Sequence, residues 1–452
     1  MAQQPGGRGD YRRIADRIAD DIRAGRLAPG RRLPPQRQFA RRHGIAASTA
    51  GRAYGELVRR GLVVGEVGRG TFVRAAPGTP SGRALTERAT DAPVNLELNY
   101  PSAPGQEELL APALAPLLRP DVLAEALRPA AADGTAAARE AAAALLAVPG
   151  WRPHPGQLLF TGNARQAVAA ALASLVRPGG RVGVEELTYP VVKEIAERLG
   201  IALVPLATDE EGPVPDGVRA AHRSAPLSAL YLQPTLHNPT STTTTAVRRE
   251  QLAAVVTDLG LPVVEDRIWS FLRPEPAFAA HAPELTHVVD GLSKRVAPGL
   301  AVGLLVVPPG RTGAVAAAVR SGGWSAGRFA LEAAVRWCAE GTVERLAEAK
   351  RQGAARRQAL VARRLAGFRV RSDPRSLFAW WELPAPWRAD TFTAAAAAHG
   401  IAVTPGTAFA VAPRRTPDAV RLGLASAAEP ELERALRTLA ALAAAGPDAG
   451  TG

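Results

Sequence analysis

The sequence predicts a multidomain chain. A small basic head of three helices and a hairpin precedes a larger α/β body and a smaller C-terminal α+β part. Three observations carry this. Charge is concentrated at one end: residues 1–74 hold 16 Arg against six Asp or Glu, which is +10 of the net +13 of the 452 residues. A stretch rich in Pro, Gly, Ser and Thr, residues 75–93, reads as a flexible linker. From residue 94 short apolar strands alternate with helices, the pattern of a mostly parallel sheet.

The head begins with YRRIADRIADDIRA, where Ile14, Ile18 and Ile22 recur every four residues and form one apolar helix face. Gly25 and LAPGRRLPP end that helix. QRQFARRHG gives a second, short helix closed by Gly44. A third runs over about 47–60, with Ser48 or Thr49 near its start and Gly61 past its end. Its buried face is expected to be Ala50, Tyr54, Leu57 and Val58. LVVGEVGRGTFV then reads as two strands around a glycine-rich turn. Three helices and a hairpin make a winged helix-turn-helix, whose third helix would enter the major groove of DNA.

Residues 10–74, from LPPQRQFARRHG through AASTAGRAYGELVRR to GRGTFV, resemble the DNA-binding domain of the GntR family of bacterial regulators. The resemblance implies DNA contacts from Arg37, from Ser48, Thr49 and Arg52 on the recognition helix, and from Arg69, Gly70 and Thr71 at the wing tip. The family often has arginine where this chain has Ala47, so one common contact is missing and Arg52 is the candidate to cover part of it.

In the body, strands such as ALYLQP, LPVVED and HVVDG end in polar residues. Ligands of parallel sheets sit at those carboxyl ends, and Asn238, Asp266 and Lys294 fall there. The large part is expected to run to about 330 and the small part over 331–445, with a disordered tail at 446–452. No stretch of 18 uncharged apolar residues occurs, and the first residues carry no apolar leader pattern. The single cysteine, Cys338, excludes an intramolecular disulfide, and a soluble cytoplasmic protein is the expectation. No metal-binding cluster is expected.

Of 55 cationic Lys and Arg side chains only Lys193, Lys294 and Lys350 are lysines. Lysine can lose its proton and act as an amine nucleophile, whereas arginine is always charged. That makes Lys294, between Ser293 and Arg295, a candidate Schiff-base lysine. The residues that a pyridoxal phosphate site needs each have a candidate. Asp266 can hold a pyridine nitrogen protonated, Tyr189 can stack on the ring, and Asn238 can donate to its hydroxyl. Thr161, Gly162 and Asn163 open a helix whose free amides suit a phosphate, and Arg421 can bind a carboxylate.

The order of these features across about 94–445 resembles the fold-type I aminotransferases, which depend on pyridoxal 5'-phosphate. Joined to a GntR head, the whole resembles the MocR subfamily of regulators. The resemblance implies a homodimer, the head of one chain lying over the body of the other, that binds an operator and responds to an amine or amino-acid effector. Two alternatives stay open: a working aminotransferase with an attached DNA-binding domain, and a regulator that no longer binds the cofactor. Three positions depart from the family pattern. Gly291 and Ala301 stand where Ser and Arg usually bind the phosphate, and Trp269 stands where a tyrosine usually holds the ring hydroxyl. Arg165 or Arg295 is the expected substitute at the phosphate.

Overall fold

The computed structural model describes residues 10–23, 26–27, 32–60, 62–66, 70–73, 92–412 and 416–447. Arg69, nearly all of the expected linker, and residues 448–452 of the expected tail lie outside them.

In the head, helices Asp10–Arg23, Gln36–Arg42 and Ala47–Arg59 enclose Ile14, Ile18, Ile22, Phe39, Tyr54 and Leu57. Strand Gly70–Val73 pairs antiparallel with Val63–Glu66 and with the short strand Arg32–Leu33. Tyr54 donates its buried hydroxyl to the Pro34 carbonyl at 2.8 Å, and burial pushes its phenol pKa up to about 12. One expected core residue is corrected. Val58 is 46% exposed, and Ala53 is buried in its place. Ala50, Ala53, Tyr54 and Leu57 follow the i, i+3, i+4, i+7 stripe, and Val58, one residue further, falls to its side.

The body is built on a seven-stranded sheet. The order across it is Leu158–Thr161, Gly303–Val306, Thr286–Gly291, Val263–Asp266, Ala229–Leu232, Arg181–Glu185 and Ala202–Leu206. All neighbours run parallel except Gly303–Val306, which is antiparallel to both of its partners. Most of these strands are apolar on both faces, as a sheet covered on both sides requires. The C-terminal part has a four-stranded antiparallel sheet ordered Arg369–Arg371, Phe378–Glu382, Ala419–Gly423, Thr404–Pro405. The Ala- and Arg-rich region before it forms two helices, Arg328–Ala339 and Thr342–Arg364. Gly341 separates them in the left-handed conformation, φ 70°, that glycine adopts at no steric cost.

The first residues of the body, expected to open its large part, pack with the C-terminal part instead. Strand Val94–Asn95 pairs with Ile401–Ala402 of the C-terminal part, and Leu96 is buried in that part's core. Residues 97–100 therefore leave the C-terminal part and run toward the carboxyl ends of the large sheet. Among the described residues no helix is long and apolar enough to cross a membrane.

Leu57 is fully buried in the head's core. Leu57→Ala is expected to destabilise the head by about 2–5 kcal/mol. Scanning calorimetry of the full chain should show a low-temperature transition absent from the parent, with the main transition unmoved.

Candidate cofactor pocket and DNA-facing head

The strand ends, the start of helix Ala164–Leu175 and residues 97–100 converge on a cavity of about 160 Å³. Asp266, the last residue of its strand, is buried there. Its Oδ2 accepts from the Tyr231 hydroxyl at 2.6 Å and Gln233 Nε2 at 3.0 Å, and its Oδ1 from the Ile268 amide at 3.0 Å. Burial pushes its pKa up, and the three donors pull the other way. Asn238 donates its amide to Gln233 Oε1 at 3.2 Å, and its own Oδ1 is buried without a partner. Tyr189 precedes helix Pro190–Arg198 and lines the cavity with Arg165 beside it.

Lys294 is the third residue of the short helix Leu292–Arg295. Its Nζ donates to the Asn99 carbonyl at 2.7 Å and lies 4.3 Å from the ring centre of Tyr100 and 5.2 Å from that of Trp269. Among the described residues it has no carboxylate partner. Burial, and then the charges of Arg165, Arg421 and Lys350, bring its pKa down to about 7.

Lys350 comes from helix Thr342–Arg364 and is buried. Its Nζ donates to three consecutive carbonyls, of Lys294 at 3.1 Å, Arg295 at 3.0 Å and Val296 at 2.7 Å. It caps the C-terminal end of the turn that carries Lys294. The third lysine, Lys193, donates to the carbonyls of Ala408 at 2.6 Å and Ala410 at 3.1 Å. A compact ammonium can converge three donors on neighbouring carbonyls, and a planar guanidinium fork cannot. This accounts for Lys350 without any catalytic role, and Lys193 is likewise held by carbonyls. Only Lys294 presents its amine to the cavity.

At the far end Asn163 caps helix Ala164–Leu175, its Oδ1 accepting from the Gln166 amide at 3.1 Å. The amides of Ala164 and Arg165 lie in the first turn, where no intrahelical acceptor exists. Ser293 and Ala301 also line the cavity. At Gly291 an added Cβ would stand 2.8 Å from the Val302 carbonyl, so the backbone itself excludes the serine that the family pattern expects.

Three expected contacts point elsewhere. Thr161 Oγ1 donates to the Asn163 carbonyl at 2.8 Å, the Gly162 amide donates to the Trp324 carbonyl at 3.0 Å, and neither residue borders the cavity. Arg295 is drawn to buried Asp290, 2.7 Å from its Oδ2, and stacks 5.4 Å from the Phe271 ring centre. Asp290 needs a counter-charge, and of the two arginines expected as substitutes it is Arg165 that lines the cavity.

Arg421 is buried on strand Ala419–Gly423. Its Nη2 donates to the Glu97 carbonyl at 2.6 Å and Thr404 Oγ1 at 3.1 Å, its guanidinium lies 5.5 Å from the ring centre of Phe409, and its Nε has no partner. Burial lowers its pKa to about 10. Sequence reasoning missed Glu97, Asn99, Tyr100 and Gln233. The segment NLELNYP carries polar residues just past a strand, but no spacing ties it to a lysine 195 residues later. This donor set fits pyridoxal phosphate: an amine, an acid for the ring nitrogen, an orphaned amide oxygen, aromatic faces, and a helix start with a cation. Among the described residues no group of three or more His, Cys, Asp or Glu is placed to hold a metal.

In the head Arg37, Ser48 and Arg52 are exposed and Thr49 and Thr71 half-buried, while Gly70 opens the last strand. Arg69 lies outside the described residues. The Arg52 guanidinium sits 5.5 Å over the Tyr11 ring. Arg59 and Arg60 are paired with Glu56, whereas Arg37, Arg41 and Arg42 are exposed with no ion pair among the described residues.

The chain belongs to the aminotransferase class I and II family, whose profile matches residues 127–439. Residues 10–73 match the gntR family of bacterial regulatory proteins. This union of a GntR head with an aminotransferase body is the make-up of MocR-type regulators. The chain is 29% identical over 432 residues to YdeF, an HTH-type transcriptional regulator of Bacillus subtilis, covering 95% of this chain and 93% of that protein. It is 26% identical over 359 residues to PdxR, the HTH-type pyridoxine biosynthesis transcriptional regulator of Corynebacterium glutamicum, covering 77% of each. Its fold is similar to that of LysN, the alpha-aminoadipate aminotransferase of Thermus thermophilus, with a TM-score of 0.69 at 23% identity, covering 80% of this chain and 96% of that one.

A lysine lowered to about 7 reacts as the free amine above that pH and is protonated below it. Reductive methylation of Lys294 by formaldehyde and cyanoborohydride, read by peptide mass spectrometry, should rise through about pH 7. Lys350→Met removes only the last of the causes that lower Lys294, and burial also brings Lys350 down to about 7, so the midpoint should rise slightly and stay well below the ordinary lysine range.

Proposed function

We propose that this protein is a transcription regulator that binds operator DNA through its GntR head and holds pyridoxal phosphate on Lys294. In this reading an amine or amino-acid effector at the same pocket changes DNA binding. The observation that carries it is the half-buried amine of Lys294, which lines one pocket with Asp266, Asn238 and the rings of Tyr100 and Trp269 in a chain that also has a GntR head. The cofactor, when bound, supplies an electron-poor ring that captures amines.

The chain's own residues have separable tasks. Asp266, fixed by Tyr231 and Gln233, would hold a proton on the ring nitrogen. Tyr189 and Trp269 would offer aromatic faces to the ring, and Arg165 with the start of helix Ala164–Leu175 would hold the phosphate. Arg421 orients an effector. LysN's structure contains N-(5'-phosphopyridoxyl)-L-leucine, and PdxR is a regulator of pyridoxine biosynthesis, both in keeping with this reading. With neither serine at 291 nor arginine at 301, the phosphate is held by fewer side chains than the family pattern supplies. That favours a sensor over an efficient catalyst. A homodimer would place two heads on paired half-sites.

Exposed Arg37, Arg41 and Arg42 lie on one short helix of the head. Operator affinity should fall steeply with salt, and Arg37→Ala should reduce the slope of log affinity against log salt by about 1. Fluorescence anisotropy with a labelled operator should also show an affinity change on adding pyridoxal phosphate, absent in Lys294→Ala. An affinity indifferent to salt, or the same response in Lys294→Ala, would count against the reading.

A further inference from the structure

Glu97 is the residue of the pocket that neither the cofactor nor the fold accounts for. It follows strand Val94–Asn95, is half-buried, and lines the cavity with Lys294 and Arg421. Its backbone is in use: the amide donates to Asn95 Oδ1 at 2.9 Å and the carbonyl accepts from Arg421 Nη2 at 2.6 Å. Its carboxylate has neither a hydrogen bond nor an ion pair among the described residues. Arg421 is the neighbouring cation and acts on it through space, but its Nη2 is directed to the Glu97 carbonyl and Thr404 Oγ1, and no hydrogen bond joins its guanidinium to the Glu97 carboxylate. A partly desolvated carboxylate with no hydrogen-bonded partner is open to a ligand that supplies one. Burial accordingly pushes its pKa up.

Charge tells what such a group would accept. The cavity's cations, Arg165 and Arg421, flank an amine whose pKa is brought down to about 7. A second carboxylate on a ligand would meet Glu97, and an apolar tail would leave it unpaired. A second positive group would satisfy it. Resting on the proposed function, we infer that the effector carries, besides the amine that reaches the cofactor, a second cationic group held by Glu97, so that the pocket selects diamines. This chemistry has two sources. A diamino monocarboxylic acid would also use Arg421, whereas a simple diamine would not.

The test is isothermal calorimetry on the full chain loaded with pyridoxal phosphate. Ornithine is compared with norvaline, and 1,4-diaminobutane with butylamine; each pair differs in the second amine. At least one diamine should bind about tenfold tighter than its partner, given the coupling of partly buried charge pairs. Glu97→Gln should abolish that preference, and Glu97→Asp should keep part of it. Ornithine favoured over 1,4-diaminobutane, with the advantage lost in Arg421→Met, identifies the diamino acid; the reverse order identifies the diamine. Equal affinities within both pairs, or a preference that survives Glu97→Gln, would overturn the assignment. If the chain takes up no pyridoxal phosphate, the proposed function fails by its own readout, and the same comparison on the unloaded chain still decides the role of Glu97.

Discussion

A half-buried amine that has no carboxylate partner among the described residues is the constraint around which the pocket is arranged. An ammonium in such a place loses hydration and gains no attractive charge. Arg165, Arg421 and Lys350 add repulsion to that burial, so the proton leaves Lys294 at about pH 7. The amine must nevertheless be aimed. The Asn99 carbonyl holds Nζ, and Lys350 holds the turn from behind through three carbonyls. The first contact requires residues 97–100 to reach the large sheet from the C-terminal part. Asn99 Oδ1 accepts from the Ala425 amide at 3.1 Å, and the Tyr100 amide donates to Ser426 Oγ at 3.0 Å. The reactive amine thus sits on the seam between the two parts of the body. A ligand that displaced the Asn99 contact would act on both.

The ring side is organised by Gln233. Its amide donates to Glu185 Oε1 at 2.9 Å, its side-chain amide to Asp266, and its carbonyl oxygen accepts from Asn238. One side chain therefore sets the orientation of the acid and of the loop bearing Asn238. Glu185 is buried, with its pKa pushed up to about 7 by burial. Such chains of buried polar groups specify one arrangement when they are satisfied. Among the described residues Asn238 Oδ1 and Glu185 Oε2 are the unsatisfied atoms of this network, and of the two residues only Asn238 lines the cavity, which is consistent with a site meant to receive a polar ligand.

Much of this was legible before any coordinates, because strand ends and helix starts leave local signals. Lys294, Asp266, Asn238 and Tyr189 follow or precede recognisable elements, and all four line the cavity. The basic head was legible from charge and from the isoleucine spacing. What failed did so for physical reasons. Thr161, Gly162 and Arg295 lie in the right segments but turn to partners that only the fold brings near. Glu97, Asn99 and Tyr100 were invisible because they reach the pocket through a two-residue pairing with strand Ile401–Ala402, some 300 residues away. Rarity in the sequence drew attention to all three lysines, but only geometry separated the one amine in the pocket from the two that bind carbonyls.

The most direct measurement is peptide mapping of the full chain after incubation with pyridoxal phosphate and reduction with borohydride. A single pyridoxyl group fixed on Lys294, with Lys193 and Lys350 unmodified, is the result this account requires. Labelling spread over all three lysines, or none on Lys294 in a folded protein, would contradict it.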